Sequence, residues 1–323
     1  MSFNRIRRVA LCLAVAAVFA ANAVPKGVAQ EVKTIGISWP NSSNQSAVQI
    51  ELKNAKERAA QLGWKVIVDD PGPDQNRQLN TINSWVTQHF PTLIVIALDT
   101  GPFQNIVAEA RAKGTKIMTY GASLPGEAGL LAINNVPGGR VLGEIAGQWI
   151  KEKLGHEAKV AILGFSEAKW GRDRRQGIID GINSTGAKYT IVAEQDATSE
   201  TQGLEKTQLI LQSHRDINMV LSVEESATEG AYQAFINAGY DKGDPNIFLG
   251  GIDGGHRALQ LLKEGDTIYR GSAAFNLADV GRGMIEKAIE LAQGGPEPAV
   301  YNVVYTPLTP VDKRVAAFLA PLE

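Results

Sequence analysis

The fold is decided by the segment VKTIGISWPNSSNQSAVQIELKNAKERAAQLGWKVIVDD, which runs from Val32 to Asp70. It begins with a short apolar, β-branched run over residues 32–38 and ends with a similar run over 65–69, and such runs are typical of buried strands. Between them, apolar residues recur at every third or fourth position, which predicts an amphipathic helix that ends near Gly63. A strand, a helix and a strand in this order form a right-handed parallel unit, and open parallel sheets bind ligands at the carboxyl ends of their strands.

The same alternation of strands and helices continues along the chain and restarts near Val136. Each step takes about 30 residues, the size of a strand–helix–strand unit. The sequence therefore predicts an α/β fold with two doubly wound parallel sheets of about four to six strands each. Further strands are predicted at residues 92–98, 115–120, 130–133, 159–163, 189–193, 218–223, 247–250 and 300–305. Further helices are predicted at residues 74–89, 103–113, 139–154, 173–184, 201–213, 227–238 and 279–292.

Residues 1–30 do not fit this pattern and read as a secretory signal peptide. Basic residues at positions 5, 7 and 8 precede an apolar run over 9–21, which is shorter than the roughly 20 residues that a membrane-spanning helix needs. We expect export to a periplasm, with cleavage after Ala23 or after Ala29. The single cysteine, Cys12, lies in this segment, so the mature chain is expected to have no disulfide and no thiol-based metal site.

Charge and composition narrow the classes of partner. The formal net charge is −2, and residues of both signs are mixed along the chain, so no nucleic acid or other polyanion is implied. A hydrophobic content of 44% is that of an ordinary soluble protein. The partner suggested by the polar loops is a small molecule.

Several carboxylates and two indoles fall in the loops that follow the predicted strands. Carboxylates accept hydrogen bonds from hydroxyl groups, and indole faces stack on the C–H faces of a sugar or polyol. Trp39 and Trp170 lie in polar loops, where stacking on a ligand and packing in the core are about equally expected. Capping or plain exposure is the favoured alternative for Asp99. For Asp253, ligand binding is favoured, because four flanking glycines let another molecule approach the backbone.

Motifs for other chemistries are missing from the sequence. There is no Gly-x-Gly-x-x-Gly after the first strand and no phosphate loop. The four histidines are scattered, without the spacing of metal ligands and without a serine or cysteine nucleophile nearby. We therefore predict no catalytic residue, no metal site and no cofactor, and a secreted α/β hydrolase is the less favoured alternative.

In its order of elements, the chain resembles the ribose-binding-protein group of periplasmic substrate-binding proteins, the type with three crossings between two domains. The resemblance covers essentially the whole mature chain. Each matching segment is short, but the segments occur in the family order and spacing behind an export signal. They are Asn44-Gln45-Ser46, Asn134-Asn135-Val136, Arg174-Arg175-Gln176-Gly177, Glu224-Glu225 and Gly251-Ile252-Asp253-Gly254.

The resemblance implies a ligand site between two lobes. Asn44 or Gln45 would contact the ligand from the first lobe, beside an aromatic wall to which Trp39 contributes. Arg174 and Asp253 match the arginine and aspartate with which the family binds ligand from the second lobe. The predicted site also contains Asp99, Trp170, Glu224 and, at the second crossing, Phe275 and Asn276.

Two positions depart from the family pattern. After the fourth strand the family usually offers an Asp-Arg pair to the sugar, whereas this chain has Gly121-Ala122-Ser123. Glu224 stands where the family usually has an asparagine, and its negative charge disfavours an anionic ligand and suits a polyol, an unusual sugar or a cation. Ribose itself is therefore not the expected ligand.

The function implied is that of a type I periplasmic binding protein that closes by hinge bending near Asn134, near residues 275–276 and near 302–305. The predicted lobes are 31–133 plus 276–302 and 134–275 plus 303–323. The protein would capture a sugar or polyol, as a monomer and without chemistry, and deliver it to the membrane permease and ATPase of an ABC importer. The alternative is a ligand-sensing receptor that presents its closed form to a chemoreceptor or sensor kinase.

Overall fold

The computed structural model describes residues 33–155 and 157–322, and the predicted signal peptide at 1–30 lies outside them. None of the helices in these ranges is both long enough and apolar enough to cross a membrane. The strands are β1 (Thr34–Ser38), β2 (Lys65–Asp69), β3 (Thr92–Val95), β4 (Lys116–Tyr120), β5 (Gly129–Ala132), β6 (Ala158–Gly164), β7 (Tyr189–Asp196), β8 (Met219–Ser222), β9 (Phe248–Asp253), β10 (Tyr269–Ala274), β11 (Ala299–Asn302) and β12 (Thr306–Leu308). The helices are α1 (Ser46–Gln61), α2 (Gln75–Thr87), α3 (Ile106–Ala112), α4 (Asn135–Trp149), α5 (Lys169–Thr185), α6 (Glu200–Ser213), α7 (Glu225–Asn237), α8 (His256–Glu264), α9 (Leu277–Ala292) and α10 (Lys313–Leu319).

The strands form two six-stranded sheets. The first has the order β11-β5-β4-β3-β1-β2 and the second has the order β12-β10-β9-β8-β6-β7. Neighbouring strands are parallel, as for β1 with β3, except that β12 runs antiparallel to β10. The chain leaves the first sheet after β5, returns to it after β10 and leaves it again after β11. Two doubly wound sheets with three crossings confirm the predicted fold class.

Helices cover both faces of each sheet, which explains why the strands are almost continuously apolar. In the first sheet, Ile37 and Ile94 pack with Leu52 of α1 and with residues of α9. On the opposite face, Leu93 packs with residues of α2 and α3. The second sheet is buried in the same way between two apolar clusters. Because both faces are filled, the ends of the strands are left as the place for polar groups.

Several parts of the predicted pattern differ from the structure. Helices α4 and α5 each begin four residues earlier than predicted. The first turn of α4 contains a proline, which is tolerated at that place in a helix. The first turn of α5 contains a glycine, which is accommodated by packing. As a result, Arg172, Arg174 and Arg175 lie inside α5. The short helices α8 and α10 were not predicted. The predicted strand over residues 300–305 is shorter, since β11 ends at Asn302 and the chain then crosses to the second sheet.

Helices α4 and α5 approach each other closely enough to exclude side chains between them. A Cβ atom on Gly139 would lie 2.0 Å from the carbonyl oxygen of Arg174, and one on Gly177 would lie 2.1 Å from that of Val136. Real Cβ contacts of this length essentially never occur. The glycines therefore bring the start of α4 directly beside the turn of α5 that carries Arg174.

Candidate functional site

Polar side chains from both sheets collect at the carboxyl ends of the strands. Tyr120 is the last residue of β4, and Asp253 is the last residue of β9. Trp39 follows β1, and Glu224 follows β8 and precedes α7. This is the edge at which open parallel sheets bind their ligands.

Arg174 is the centre of this group, with a side chain that is 6% exposed. Its Nε donates to Asn135 Oδ1 at 3.0 Å, and its Nη1 donates to the Val223 carbonyl at 2.8 Å and to Asp253 Oδ2 at 3.1 Å. Its Nη2 donates to the Tyr305 hydroxyl at 3.2 Å and lies 2.8 Å from Asp253 Oδ1. Burial is the largest influence and would lower the pKa of Arg174, but the charge and hydrogen bond of Asp253 together with Tyr305 and Glu224 outweigh it and raise the pKa, so the guanidinium stays charged.

Glu224 and Asp253 are neighbouring carboxyls that share one guanidinium. Glu224 Oε2 lies 3.9 Å from Arg174 Nη1, which is too far for a hydrogen bond, whereas Asp253 is in direct contact with Arg174. Burial raises the pKa of both carboxyls, that of Glu224 well above its usual range, and the two are hydrogen-bonded to each other. Such a bond needs one proton. We assign the charge to Asp253 and the proton to Glu224, because Asp253 holds the shorter contact with the cation.

Glu51 supplies a third buried carboxyl, from helix α1. It is 2% exposed and accepts a hydrogen bond from the Tyr120 hydroxyl, which lies 3.0 Å from Oε2 and 3.2 Å from Oε1. Burial raises the pKa of Glu51 well above its usual range, the Tyr120 bond and Arg174 oppose the rise, and the charge of Asp253 adds to it. Groups carried by the two sheets therefore act on one another electrostatically. We call Glu51, Glu224, Asp253 and Arg174 the Arg174 cluster.

Aromatic rings surround the Arg174 cluster. Trp39 and Tyr120 have ring centroids 4.6 Å apart, and Phe275 meets Tyr305 edge to face at 5.5 Å. Trp39, Tyr120 and Phe275 are buried, and burial raises the pKa of Tyr305 to about 12. These rings limit the access of water, which strengthens the electrostatic interactions among the charged groups.

Glu225 fixes the loop that carries Asp253 by accepting hydrogen bonds. Its Oε2 accepts hydrogen bonds from the Gly254 amide at 2.5 Å and from Ser272 Oγ at 2.6 Å, and its Oε1 accepts one from the Tyr269 hydroxyl. Asp253 has a φ of +123° and Gly254 a φ of +85°, and only surrounding contacts keep a non-glycine residue in that region. Glu225 thus acts as a positioning residue for the Asp253 carboxylate.

The titration of Glu225 makes stability depend on pH. Burial raises the pKa of Glu225 to about 7, although its three hydrogen-bond donors act to lower it. An unfolded glutamate titrates near a pKa of about 4.3, so the folded protein keeps a proton that the unfolded chain loses. The contribution of this proton to stability is full below about pH 4 and is lost as the pH rises to about 7. We expect the wild type to lose about 2–3 kcal/mol of unfolding free energy between pH 5 and pH 8 through this group.

Urea unfolding of the wild type and of Glu225→Gln at pH 5 and pH 8 measures this loss. The variant should show a smaller decrease with rising pH, because it has no proton to lose at this position. Glu57→Gln, which removes an exposed acid from α1, is the control and should keep the wild-type decrease. An equal decrease in wild type and Glu225→Gln would show that Glu225 is already ionised in the folded protein.

The structure brings half of the predicted site residues together. Trp170 borders this group, with its ring 5.3 Å from Arg174 Cζ and 5.3 Å from the ring of Phe165. The residues brought together are Trp39, Arg174, Glu224, Asp253 and Phe275.

The other four predicted residues make local contacts. Asp99 is exposed and accepts a hydrogen bond from the Gly101 amide at 3.0 Å, and Asn276 caps α9 by accepting one from the Asp279 amide at 3.1 Å. Asn44 is exposed and Gln45 is half-buried at the start of α1. None of the hydrogen bonds found within residues 33–155 and 157–322 joins these four side chains to the Arg174 cluster, and their roles in binding stay predictions.

Sequence reasoning missed four residues of the site. Glu51 left a signal, since it is a carboxylate on the apolar face of α1, three residues after Val48. Tyr120 and Tyr305 were each placed at the end of a predicted strand but not assigned a role. Asn135, which fixes Arg174 Nε, belongs to a segment that was identified only as part of a family match.

Within the described residues, no group of three or more His, Cys, Asp and Glu side chains has a geometry that could hold a metal ion. The carboxyls of the Arg174 cluster are instead arranged around a guanidinium and hydroxyl groups. The chemistry that this arrangement offers is hydrogen bonding and charge pairing with a small molecule.

Comparison with known proteins gives the same picture. Residues 35–296 match the family model described as periplasmic binding protein domain. The chain is 31% identical over 237 residues to the ribose import binding protein RbsB of Bacillus subtilis (strain 168), and the aligned region covers 72% of this chain and 73% of that protein. It is 26% identical over 311 residues to the ribose import binding protein RbsB of Escherichia coli (strain K12), covering 94% and 97% of the two chains.

Solved structures share the fold. The Caulobacter myo-inositol binding protein bound to myo-inositol superposes with a TM-score of 0.76 at 22% identity, over 88% of this chain and 95% of that one. A carbohydrate transporter solute binding protein from Agrobacterium radiobacter in complex with D-arabinose gives a TM-score of 0.77 at 22% identity, over 90% and 99%. Because the family model covers most of the chain and a relative exceeds 30% identity, the chain belongs to the periplasmic binding protein family, and its relatives include ribose import binding proteins.

Proposed function

We propose that this protein is a periplasmic solute-binding receptor that captures a sugar or polyol between two lobes and delivers it to an ABC importer. The observation that carries the proposal is the Arg174 cluster, in which Glu51 of α1, bound to Tyr120 of the first sheet, meets Arg174 and Asp253 on the side of the second sheet. Buried carboxylates and hydroxyls fixed at the carboxyl ends of parallel strands suit a ligand with many hydroxyl groups. The myo-inositol and D-arabinose complexes among the structural neighbours are of the same chemical class.

The lobes follow the two sheets. We assign residues 31–133 plus 276–302 to the first lobe and residues 134–275 plus 303–323 to the second. The pairing of β11 with β5 and of β12 with β10 supports this division. Hinge bending at the three crossings opens the cleft, and closure places the Arg174 cluster around the ligand. Trp39, Trp170 and Phe275 line the cleft, and Asn44, Gln45, Asp99 and Asn276 contribute at its rim.

The partners are the membrane permease and the ATPase of the importer, and the receptor acts as a monomer that binds without chemistry. Its relatives are import binding proteins and not enzymes. We place the mature protein in the periplasm, after removal of the signal peptide at 1–30. The predicted export signal and the family match over residues 35–296 support this location. The sequence shows no nucleophile–base pair, which agrees with binding without chemistry.

A thermal-shift screen of monosaccharides and polyols tests the proposal. A binder at about 100 times its dissociation constant should add about 2.7 kcal/mol to the unfolding free energy. For a mature chain of about 290 residues, that corresponds to a rise of about 4–5 °C in the unfolding midpoint. Sugar phosphates are the control and should give no shift, because the buried carboxyls repel anions. If no neutral sugar or polyol raises the unfolding midpoint, the result would count against the proposed function.

A further inference from the structure

The Arg174 cluster contains more buried acid than base. Glu51 and Asp253 are 2% and 4% exposed, and the Glu224 side chain is 14% exposed. Arg174 is the cation whose charge acts on all three carboxyls. Burial of a carboxylate without a counter-charge is strongly unfavourable. With three carboxyls facing one guanidinium, the cluster is neutral only while two of the carboxyls hold protons, and a cation that enters can take the place of one of these protons.

Arg174 has no nitrogen left for a ligand. Nε is bound to Asn135, Nη1 is bound to the Val223 carbonyl and to Asp253, and Nη2 is engaged by the Tyr305 hydroxyl and by Asp253. A guanidinium has five N–H donors, and protein acceptors lie against all three of its nitrogens. A ligand that enters this cluster therefore has to bring its own hydrogen-bond donors.

Acceptor positions in the cluster are still open. Asp253 Oδ1 is buried and makes no hydrogen bond of good geometry with an N–H group of the described residues, and its 2.8 Å ion pair with Arg174 Nη2 leaves acceptor capacity on this oxygen. Glu51 receives the single proton of the Tyr120 hydroxyl, whereas a carboxylate offers about four acceptor sites. Buried acceptors of this kind cost free energy until a donor reaches them.

We propose that the ligand is an amino sugar or amino polyol, and that its ammonium group binds among Glu51, Glu224 and Asp253. This inference rests on the proposed function and specifies the ligand of the same site. An ammonium group brings three N–H donors, which match the open acceptors, and one positive charge, which can replace the proton of a buried carboxyl. A hydroxyl group in the same place brings one donor and no charge. Hydrogen bonds between charged partners are also the stronger kind.

Matched pairs of ligands test the inference. Isothermal titration calorimetry of the mature protein would compare D-glucose with D-glucosamine, D-galactose with D-galactosamine, and D-glucitol with D-glucamine. The amine should bind about tenfold tighter or more than its hydroxyl counterpart in at least one pair, the scale of one hydrogen bond to a charged group.

Variants then locate the ammonium group. Glu51→Gln should weaken the amine by about tenfold and change the hydroxyl counterpart less than about threefold, because the amide keeps one acceptor but loses the charge. Glu224→Gln serves the same purpose and is the second variant if Glu51→Gln does not fold. Glu57→Gln removes an exposed acid from the same helix and should leave the affinities of both ligands unchanged.

The outcomes separate the inference from the proposed function. If a hydroxyl ligand binds as tightly as its amine or more tightly, the amine inference is overturned and the receptor function stands. Loss of amine affinity equal to loss of hydroxyl affinity in both variants would also overturn it, because the carboxyls would then act without regard to charge. If none of the six ligands binds, the amine inference is overturned, and the receptor function is decided separately by the wider screen of neutral sugars and polyols.

Discussion

Asp253→Ala is expected to lower the affinity for the ligand at least about 100-fold, the loss of roughly two hydrogen bonds to a charged group. Asp253 is the carboxylate that keeps its charge in the cluster, and its buried Oδ1 makes no hydrogen bond of good geometry within the described residues. Its removal also frees Arg174, whose Nη1 and Nη2 would turn toward the ligand or remain buried without a counter-ion. Titration calorimetry with a ligand from the sugar and polyol screen measures the change.

The same substitution should destabilise the protein. Asp253 is 4% exposed and is paired with a buried cation. Breaking a buried pair by removing one partner costs about 3–5 kcal/mol. Asp253→Asn keeps the shape of the side chain and should lose affinity with a smaller loss of stability.

Asp216→Ala is the matched control, since it breaks a surface pair with Lys159 in which the aspartate side chain is 60% exposed. It should change neither affinity nor stability. A variant at Asp253 that binds as tightly as the wild type would place the ligand elsewhere, and the assignment of the cluster as a binding site would be wrong.

Gly177→Ala is expected to destabilise the protein by about 3 kcal/mol, at the upper end of the cost of overpacking. The new Cβ would lie 2.1 Å from the Val136 carbonyl and 2.8 Å from the Arg140 amide nitrogen, and both are backbone atoms that cannot rotate away. Helices α4 and α5 would have to separate. Since Asn135 is on α4 and Arg174 is on α5, the separation would lengthen their 3.0 Å hydrogen bond and should also weaken ligand binding.

Urea unfolding and ligand titration of this variant measure the two effects. The control is Gly164→Ala, whose Cβ would find its nearest neighbour, Asp196 Oδ1, at an ordinary 3.5 Å. That variant should stay within about 1 kcal/mol of the wild type. A fully stable Gly177→Ala would mean that the two helices are not in such close contact, and the positioning of Arg174 would need another explanation.

Most of the fold can be predicted from the sequence because both sheets are buried on both faces. A buried parallel strand is a short continuous apolar run, and β2 begins and ends where the sequence predicts. The residues at which helices begin are harder to predict from the sequence. Helices α4 and α5 begin with turns that contain proline and glycine, and these residues have low helix propensity although close packing accepts them here. The nine-residue α8 gives too short a periodic pattern to be recognised.

The candidate site is predicted in part, for a physical reason. Asp253 and Arg174 stand at positions marked by glycines or by a family match, so the sequence alone points to them. Glu51 and Tyr305 join the site only through tertiary packing, because each is more than a hundred residues of chain away from Arg174. The commitment of every Arg174 nitrogen to protein acceptors is a matter of geometry that no residue pattern reveals.

The central claim is that groups from both sheets enclose one small polar ligand at the Arg174 cluster. The most direct measurement is a crystal structure of the protein with a ligand identified in the screen. We expect electron density for the ligand within about 3.2 Å of the carboxylates of both Glu51 and Asp253. Density against one sheet alone, or at a surface away from these two carboxylates, would contradict it.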